Sequence, residues 1–300
     1  MSGTPEPLGT AATSGILVVD KPQGWTSHQV VGRVRRLLGT RRVGHAGTLD
    51  PMATGVLIIG VNRATRLLGH LALHDKSYLA TIRLGESTAT DDADGELVES
   101  RPADHLDADG VEAAMAPYRG DILQVPSSVS AIKVDGRRAY ARVRAGEQVQ
   151  LAARPVHVSR FDLVAVRRDP TRPDVVDLDV VVDCSSGTYV RALARDLGSD
   201  LGVGGHLTSL RRTRIGRYDL TSAVDVTLDE PPELTPMAEA AALSFPTVAV
   251  DAAEAVTIGH GGALTRALPG DPTAMIGPDG DLLALYRPTD DGCRPVAVLG

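Results

Sequence analysis

The segment Gly44-His45-Ala46-Gly47-Thr48-Leu49-Asp50-Pro51-Met52-Ala53-Thr54-Gly55 sets three glycines, an imidazole and a carboxylate within one short stretch. Such density points to a site. A phosphate cradle is one reading, but the Gly-Lys-Ser/Thr ending of a P-loop is absent and the glycine spacing is not G-x-G-x-x-G. The other is a Gly-rich turn in which Asp50-Pro51 starts the next bend. A second concentration lies at Asp183-Cys184-Ser185-Ser186-Gly187-Thr188-Tyr189-Val190-Arg191. If that chain is extended, the Tyr189 phenol and the Arg191 guanidinium point to one face and can converge on one group; in a helix they diverge. In Lys76-Ser77-Tyr78, an aromatic ring follows one of only three lysines in the chain, the others being Lys21 and Lys133. Wherever a cation was merely wanted, this sequence uses Arg, so the three lysines are markers.

Positioning these groups requires a scaffold, and its elements are readable. Gly15 to Val19 is an apolar run ending in a Pro/Gly turn at Asp20-Lys21-Pro22-Gln23-Gly24, hence a strand followed by a turn. Ser27 is placed to cap a helix whose apolar Val30, Val31, Val34, Leu37 and Leu38 recur at helical spacing. A buried-type strand Val56 to Val61, a helix from about Asn62 to Leu73 and an alternating strand Tyr78 to Leu84 follow. Residues 86–112 hold ten acids and one Arg, which reads as a solvated loop leading to a short helix near Glu112 to Tyr118. Residues 124–152 lack clean periodicity and read as a projecting insertion. Strand-like runs His157 to Val166 and Val176 to Cys184, a helical stretch ending near Leu201, and Leu207 to Ile215 complete the larger part. A Pro/Glu stretch, Asp229 to Pro236, marks a boundary before a Gly-rich, strand-like remainder, roughly 246–300, that suits a small β domain. Strands and helices interspersed in this way define a mixed class.

The chain has 300 residues and 43% hydrophobic composition, enough for a sizeable core. Cys184 and Cys293 are far apart and in no metal-ligand or disulfide-framework spacing, which fits a reducing cytoplasmic setting. The start has no basic and apolar leader pattern, the first fourteen residues read as a disordered tail, and no apolar run approaches the length of a bilayer span. Nine aromatic residues exclude an extended base-stacking platform and leave any stacking to one or two rings. A net charge of −7 argues against a nucleic-acid binder when taken whole. By segment the sign changes: residues 16–78 carry +6, 133–160 carry +5 and 189–217 carry +4, against −9 over 86–112 and −10 over 219–300. A polyanion responds to the field within about 8 Å at physiological salt rather than to the total. The total is therefore no veto.

Taken in order, Asp20-Lys21-Pro22-Gln23-Gly24-Trp25-Thr26-Ser27, the Gly44 to Leu57 segment, Lys76-Ser77-Tyr78, Leu84-Gly85-Glu86-Ser87-Thr88-Ala89-Thr90-Asp91, Gln124-Val125-Pro126-Ser127 with Ser130-Ala131-Ile132-Lys133, and Cys184 to Arg191 resemble the TruB family of tRNA pseudouridine synthases. The six motifs fall in family order and span residues 15 to about 217. The resemblance implies an α+β fold: a pseudouridine synthase catalytic domain over 15–235 with a central mixed, largely antiparallel sheet flanked by helices and loops. It also implies an RNA-gripping insertion at 124–152 and a short, β-rich PUA-like domain at 246–300. The activity implied is isomerisation of uridine 55 in the tRNA T loop by base flipping, with no cofactor and no metal, in a monomer whose partner is the T arm, away from membranes.

The resemblance also assigns residues. Asp50 matches the catalytic aspartate, Arg191 the arginine that pairs with it, and Tyr189 a second site tyrosine near uracil C5. Tyr78 matches the ring that stacks on the target uracil, and His45 the histidine that fills space vacated in the T loop. Leu210 matches a leucine packing over the base, Lys21 and Pro22 residues shaping the pocket floor, and Lys133 a residue of the RNA-binding segment. A carboxylate at Asp50 could attack ribose C1′, attack uracil C6, or remove the 2′ proton. A two-point guanidinium contact would aim it and keep it ionised. A tRNA-binding protein with dispensable chemistry and a base-excising glycosylase are the competing functions; the latter usually needs a second acid or a water site. The acidic tail departs from what a domain gripping an acceptor stem should carry.

Overall fold

A computed structural model describes residues 14–127, 133–134, 137–138 and 151–299. β1 (Gly15–Lys21) leads through a Pro/Gly turn into α1 (Ser27–Leu37). Thr26 caps α1: its hydroxyl accepts from Gln29 N at 3.1 Å, and its own N–H donates to Gln29 Oε1 at 2.7 Å. This reciprocal pair satisfies two donors that the first turn leaves open. The cap is therefore Thr26 and not Ser27, which is the first helical residue and is buried. β2 (Val43–Ala46) pairs antiparallel with β3 (Thr54–Val61), so the first residues of the Gly-rich segment are strand rather than loop. A 3-10 turn at Asn62–Arg66 and the short α2 (Leu68–Leu71) replace the single helix expected there. Ala64, Leu67, Leu68 and Leu71 are buried in this arrangement, and their spacing does not separate one helix from two short turns.

β4 (Lys76–Leu84) is followed by a hairpin, β5 (Glu86–Thr88) and β6 (Leu97–Ser100), in the acidic segment where a solvated loop is expected. Its strands are mostly solvent-facing, which is why no alternation of apolar residues announces them. Next come α3 (Ala108–Met115), β7 (Gly120–Gln124), and the two-residue strands β8 (Lys133–Val134) and β9 (Arg137–Arg138). The rest of the expected insertion and residues 1–13 of the expected tail lie outside the described residues. β10 (Arg154–Arg168), β11 (Val176–Cys184), α4 (Val190–Asp200), β12 (Gly205–Ile215), β13 (Tyr218–Asp219) and β14 (Thr235–Pro236) complete the larger part. α5 (Met237–Ser244), β15 (Thr247–Ala249), α6 (Ala252–Gly259), β16 (Thr273–Ile276), β17 (Leu282–Thr289) and β18 (Gly292–Val298) form the remainder.

The large sheet has ten strands, eight of them in the order β14-β1-β3-β12-β4-β11-β10-β7, with β2 joined to β3 and β13 to β12. Among the described residues the one parallel pairing between its named strands is β3 with β12, where Arg211 lies opposite Thr54 and Arg212 opposite Gly55; the other strand pairings are antiparallel. The mixed, largely antiparallel sheet and the β-rich end of the chain are thus as expected. The parallel junction matters for the site, because the loop carrying Asp50 enters β3 there.

The C-terminal sheet has the order β15-β16-β17-β18. Met237, Phe245, Leu282, Leu285 and Leu299 share one buried apolar cluster with Ile16, Ile58, Leu67 and Leu71 of the large-sheet part. The Pro/Glu stretch read as a boundary ends in β14, which pairs with β1. Continuous apolar packing therefore ties the small sheet to the large one. Among the described residues no helix is long and apolar enough to cross a membrane.

Candidate active site

The Asp50 loop is held from both sides. Ser27 Oγ accepts from Leu49 N at 2.9 Å and donates to Leu49 O at 3.1 Å, both buried. Lys21, with no exposed surface, donates to the carbonyls of Pro22, Trp25 and Pro51 at 2.9, 2.6 and 3.3 Å. Gly24 N adds a bond to Pro51 O at 2.8 Å. The residues on either side of Asp50 are thus pinned to the turn and helix that follow β1, which is why the Asp20 to Ser27 segment and the Asp50 loop belong to one structure. Beyond the loop, Gly55 has φ +100°, and a Cβ there would fall 2.1 Å from the carbonyl oxygen of Arg212. Only glycine permits β3 and β12 to meet so closely.

Asp50 opens onto a cavity of about 260 Å³, also lined by Lys76, Tyr78, Tyr189, Arg191, Leu210 and Arg212. Lys76 and Tyr78 are two apart on β4 and so share a face. Tyr78 lies directly opposite Arg212 of β12, and Leu210 lies opposite Ala80. The floor is therefore made by two adjacent strands. Tyr78 is only 7% exposed and packs among Leu49, Met52 and Leu210. Burial raises its phenol above the ordinary tyrosine range, with the Arg212 guanidinium opposing, so the ring is presented protonated and apolar.

The wall comes from the start of α4. Tyr189 is its N-cap, still extended at φ −106° and ψ 105°, while Arg191 is already helical. Neither the strand rule nor the helix rule describes their relation; both reach the cavity because the chain changes conformation between them. Gln124 fixes the junction: Tyr189 N donates to Gln124 Oε1 at 2.7 Å, and Gln124 Nε2 donates to Tyr189 O at 3.0 Å. Arg191 Nε lies 3.0 Å from Asp50 Oδ2. Its Nη1 donates to Thr90 O at 2.8 Å and lies 3.5 Å from Asp92 Oδ2. Asp92 is itself held by Thr90 Oγ1 and by Asp94 N, the latter at 3.1 Å. The fork thus reaches two carboxylates and a carbonyl.

Burial and these neighbouring charges together set the charge state of Asp50. Burial raises its carboxyl above the ordinary aspartate range, Arg191 pulls it down, and Asp92 pushes it up. The side chain is still 34% exposed toward the cavity, which limits the burial effect. Lys21 and Lys76 are each lowered to about 8, chiefly by burial.

The remaining expected residues sit further off. His45, on β2 opposite Ile59, makes an edge contact with His28 at 5.4 Å and is not part of the cavity lining. Lys21 and Pro22 lie under the Asp50 loop rather than on the cavity surface. Lys133 is placed only as strand backbone; its side chain, with Ser130 to Ile132, lies outside the described residues. Ser27 thus holds the loop rather than capping α1, and Asp92, Gln124 and Arg212 join the site through tertiary contacts that no motif announces. Among the described residues no cluster of three His, Cys, Asp or Glu side chains is arranged to hold a metal.

Solved structures share this architecture. An H/ACA RNP bound to a substrate RNA containing 2′-deoxyuridine aligns with TM-score 0.71 and 22% identity, covering 98% of this chain and 88% of that one. An archaeal box H/ACA sRNP complex aligns with TM-score 0.70 and 23% identity, over 98% and 89%. At that identity the likeness defines the fold. The sequence models are more specific: residues 35–190 match the TruB family pseudouridylate synthase N-terminal domain, 191–231 the tRNA pseudouridylate synthase B C-terminal domain and 245–300 the tRNA pseudouridine synthase II C-terminal model. The tRNA pseudouridine synthase B of Cutibacterium acnes is 62% identical over 93% of this chain and 94% of the relative. The enzymes of the same name from Thermobifida fusca and Mycobacterium tuberculosis are 57% and 53% identical, over 95% and 97% of this chain and 98% and 97% of theirs. The chain belongs to the TruB family of pseudouridine synthases.

Proposed function

We propose that this chain is a tRNA pseudouridine synthase that isomerises uridine 55 of the T loop, working on a base flipped out of the loop. The observation that carries this reading is the placement of Asp50, Tyr78, Tyr189 and Arg191 around one cavity. The reaction breaks the C1′–N1 bond and forms C1′–C5, so it needs one group acting at the ribose or at uracil C6 and a surface that holds the detached base. Asp50, held by Arg191 and by the pinned loop, is that group. Tyr78 offers its face to the uracil, with Leu210 on the other strand of the floor. Tyr189 lines the side near C5. His45, outside the cavity, fills space left in the T loop when bases flip out.

The basic segments suit contacts to phosphates that position the RNA without reading its sequence. Substrate engagement through the T arm, a monomeric enzyme and a cytoplasmic setting complete the proposal. A base-excising glycosylase is disfavoured because Asp50 is the one carboxylate among the described cavity-lining residues.

Product identity tests the assignment. Unmodified tRNA incubated with the protein should acquire pseudouridine in the T loop, and with Asp50→Asn it should not, while both proteins bind the RNA. Free uracil with an abasic site would select the glycosylase, and equal products from both proteins would remove Asp50 from the mechanism.

A further inference from the structure

Two cations of the cavity have no part in the chemistry assigned so far. Arg212 is 1% exposed and heads the fully buried side chains by volume. Its Nε donates to Val56 O at 2.7 Å and its Nη2 to Gly47 O at 2.8 Å. Lys76 is 6% exposed, and its Nζ donates to Ala72 O at 2.9 Å and His74 O at 2.8 Å. Both side chains end on one flank of Gly47: a Cβ built there would meet Arg212 Nη1 at 3.5 Å and Lys76 Cε at 3.7 Å. Among the described residues neither cation forms an ion pair with a carboxylate. Buried charges are ordinarily paired, because removing them from water is costly. Two such cations side by side, held by carbonyls and, for Arg212, also by a side-chain hydrogen bond to Tyr78, and facing the same space as Asp50 and Tyr78, mark a place built for negative charge.

We propose that Lys76 and Arg212 form a cationic pole for the uracil anion released during the reaction, making them further catalytic residues. This rests on the function proposed above and applies to the routes in which Asp50 attacks C1′ or removes the 2′ proton. In either, the C1′–N1 bond breaks, its electron pair stays with N1, and the charge spreads over N1, O2 and O4. The base then turns, C5 uses that density to bond to C1′, the C5 proton is lost to water and N1 gains a proton. Asp50 returns what it took, either its bond to C1′ or the 2′ proton. Stabilisation that appears only as charge develops lowers the barrier rather than merely tightening binding.

The test compares uridine with 5-fluorouridine at the target of a T-arm RNA hairpin. Fluorine makes the base more acidic, so its anion depends less on the protein. Single-turnover loss of the C1′–N1 bond is followed by nuclease digestion for the wild type, Lys76→Met, Arg212→Gln and Arg212→Lys. For Lys76→Met and Arg212→Gln the expected loss on uridine is about 100-fold, shrinking to about 10-fold or less on 5-fluorouridine, with RNA affinity little changed. Arg212→Lys, which keeps a charge, should recover part of the loss. Arg212→Gln also frees two backbone carbonyls, so Lys76→Met decides the matter if that variant does not fold. Equal losses on both substrates, or wild-type rates on uridine, overturn the proposal. A wild-type protein that forms no pseudouridine would instead overturn the function on which it rests.

Discussion

Arg191 places its Nε 3.0 Å from Asp50 Oδ2 and turns its Nη1 to Thr90 O and Asp92. The guanidinium is a junction between the catalytic loop and the segment after β5, so its planar shape matters as much as its charge. A lysine is a point charge on a flexible stem and cannot serve three acceptors in one plane. Arg191→Lys should therefore lower turnover by at least about 100-fold while tRNA affinity stays within a few-fold. Rapid-quench turnover and filter binding on the same preparation would check this. Near-normal turnover would show that charge alone suffices.

The upward shift of Asp50 has consequences in both activity and stability. Turnover requires the carboxylate, so it should fall as pH drops through a value above the ordinary 3.8. Removing Arg191, which pulls that value down, should move the acid limb to higher pH. For stability the sign is opposite. A carboxyl whose folded pKa lies above its unfolded one holds its proton longer in the folded state, so its stabilising contribution exists at low pH and is lost as pH rises through the folded value. Ionised Asp50 is thus a burden on the fold at neutral pH. Asp50→Asn should abolish turnover with Tm unchanged or raised, and a marked fall in Tm would assign Asp50 a structural role.

Ser27 bonds both backbone groups of Leu49, at 2.9 and 3.1 Å, one residue before Asp50. Ser27→Ala leaves a buried N–H and a buried carbonyl without this partner, at a cost of about 1–3 kcal/mol. The loop should loosen where Asp50 is carried. Expected is a lower Tm together with a fall in the single-turnover rate larger than any change in Kd. A stability loss at unchanged rate would show that Arg191 alone aims the carboxylate.

Lys21 and Lys76, each lowered to about 8 from 10.5, give the opposite pH signature. Between those values the unfolded chain binds more protons than the folded one, so stability rises with pH; below about 8 the full penalty of burying the charges is present. For Lys76, 6% exposed, the swing approaches about 3 kcal/mol at 1.4 kcal/mol per unit. Lys76→Met should flatten the rise of Tm between pH 8 and 10, and an unchanged profile would mean that Lys76 keeps its proton throughout.

Much of this site was legible because its chemistry sits on regular patterns. The alternation from Tyr78 to Leu84 announced most of β4, and the scarcity of lysine singled out Lys21 and Lys76. What escaped was hidden by its neighbours or created by tertiary contact. Arg212 lies among Arg211 and Arg214 and looks like one more surface cation, yet its side chain is buried against the carbonyls of Val56 and Gly47. Asp92 lies in a segment so acidic that no single acid stood out. Gln124 acts on Tyr189 across 65 residues of chain, a pairing that no local pattern encodes. The Tyr189 to Arg191 step defeated both periodic rules because the helix begins between them.

Gly55 is where that scaffold is least tolerant. Its φ of +100° is in the region that side chains rarely adopt, and a Cβ would sit 2.1 Å from Arg212 O and 2.9 Å from Arg212 N. Relief would require β3 to separate from β12 at their parallel pairing, between the catalytic loop and Arg212. Gly55→Ala should therefore cost more than about 3 kcal/mol by combining backbone strain with lost pairing, and should abolish turnover even in the fraction that folds. Denaturant unfolding measures the first and single-turnover assays on the soluble fraction the second. A Gly55→Ala protein of normal stability would mean that the two strands can part locally, and that the floor of the cavity is less rigid than its register implies.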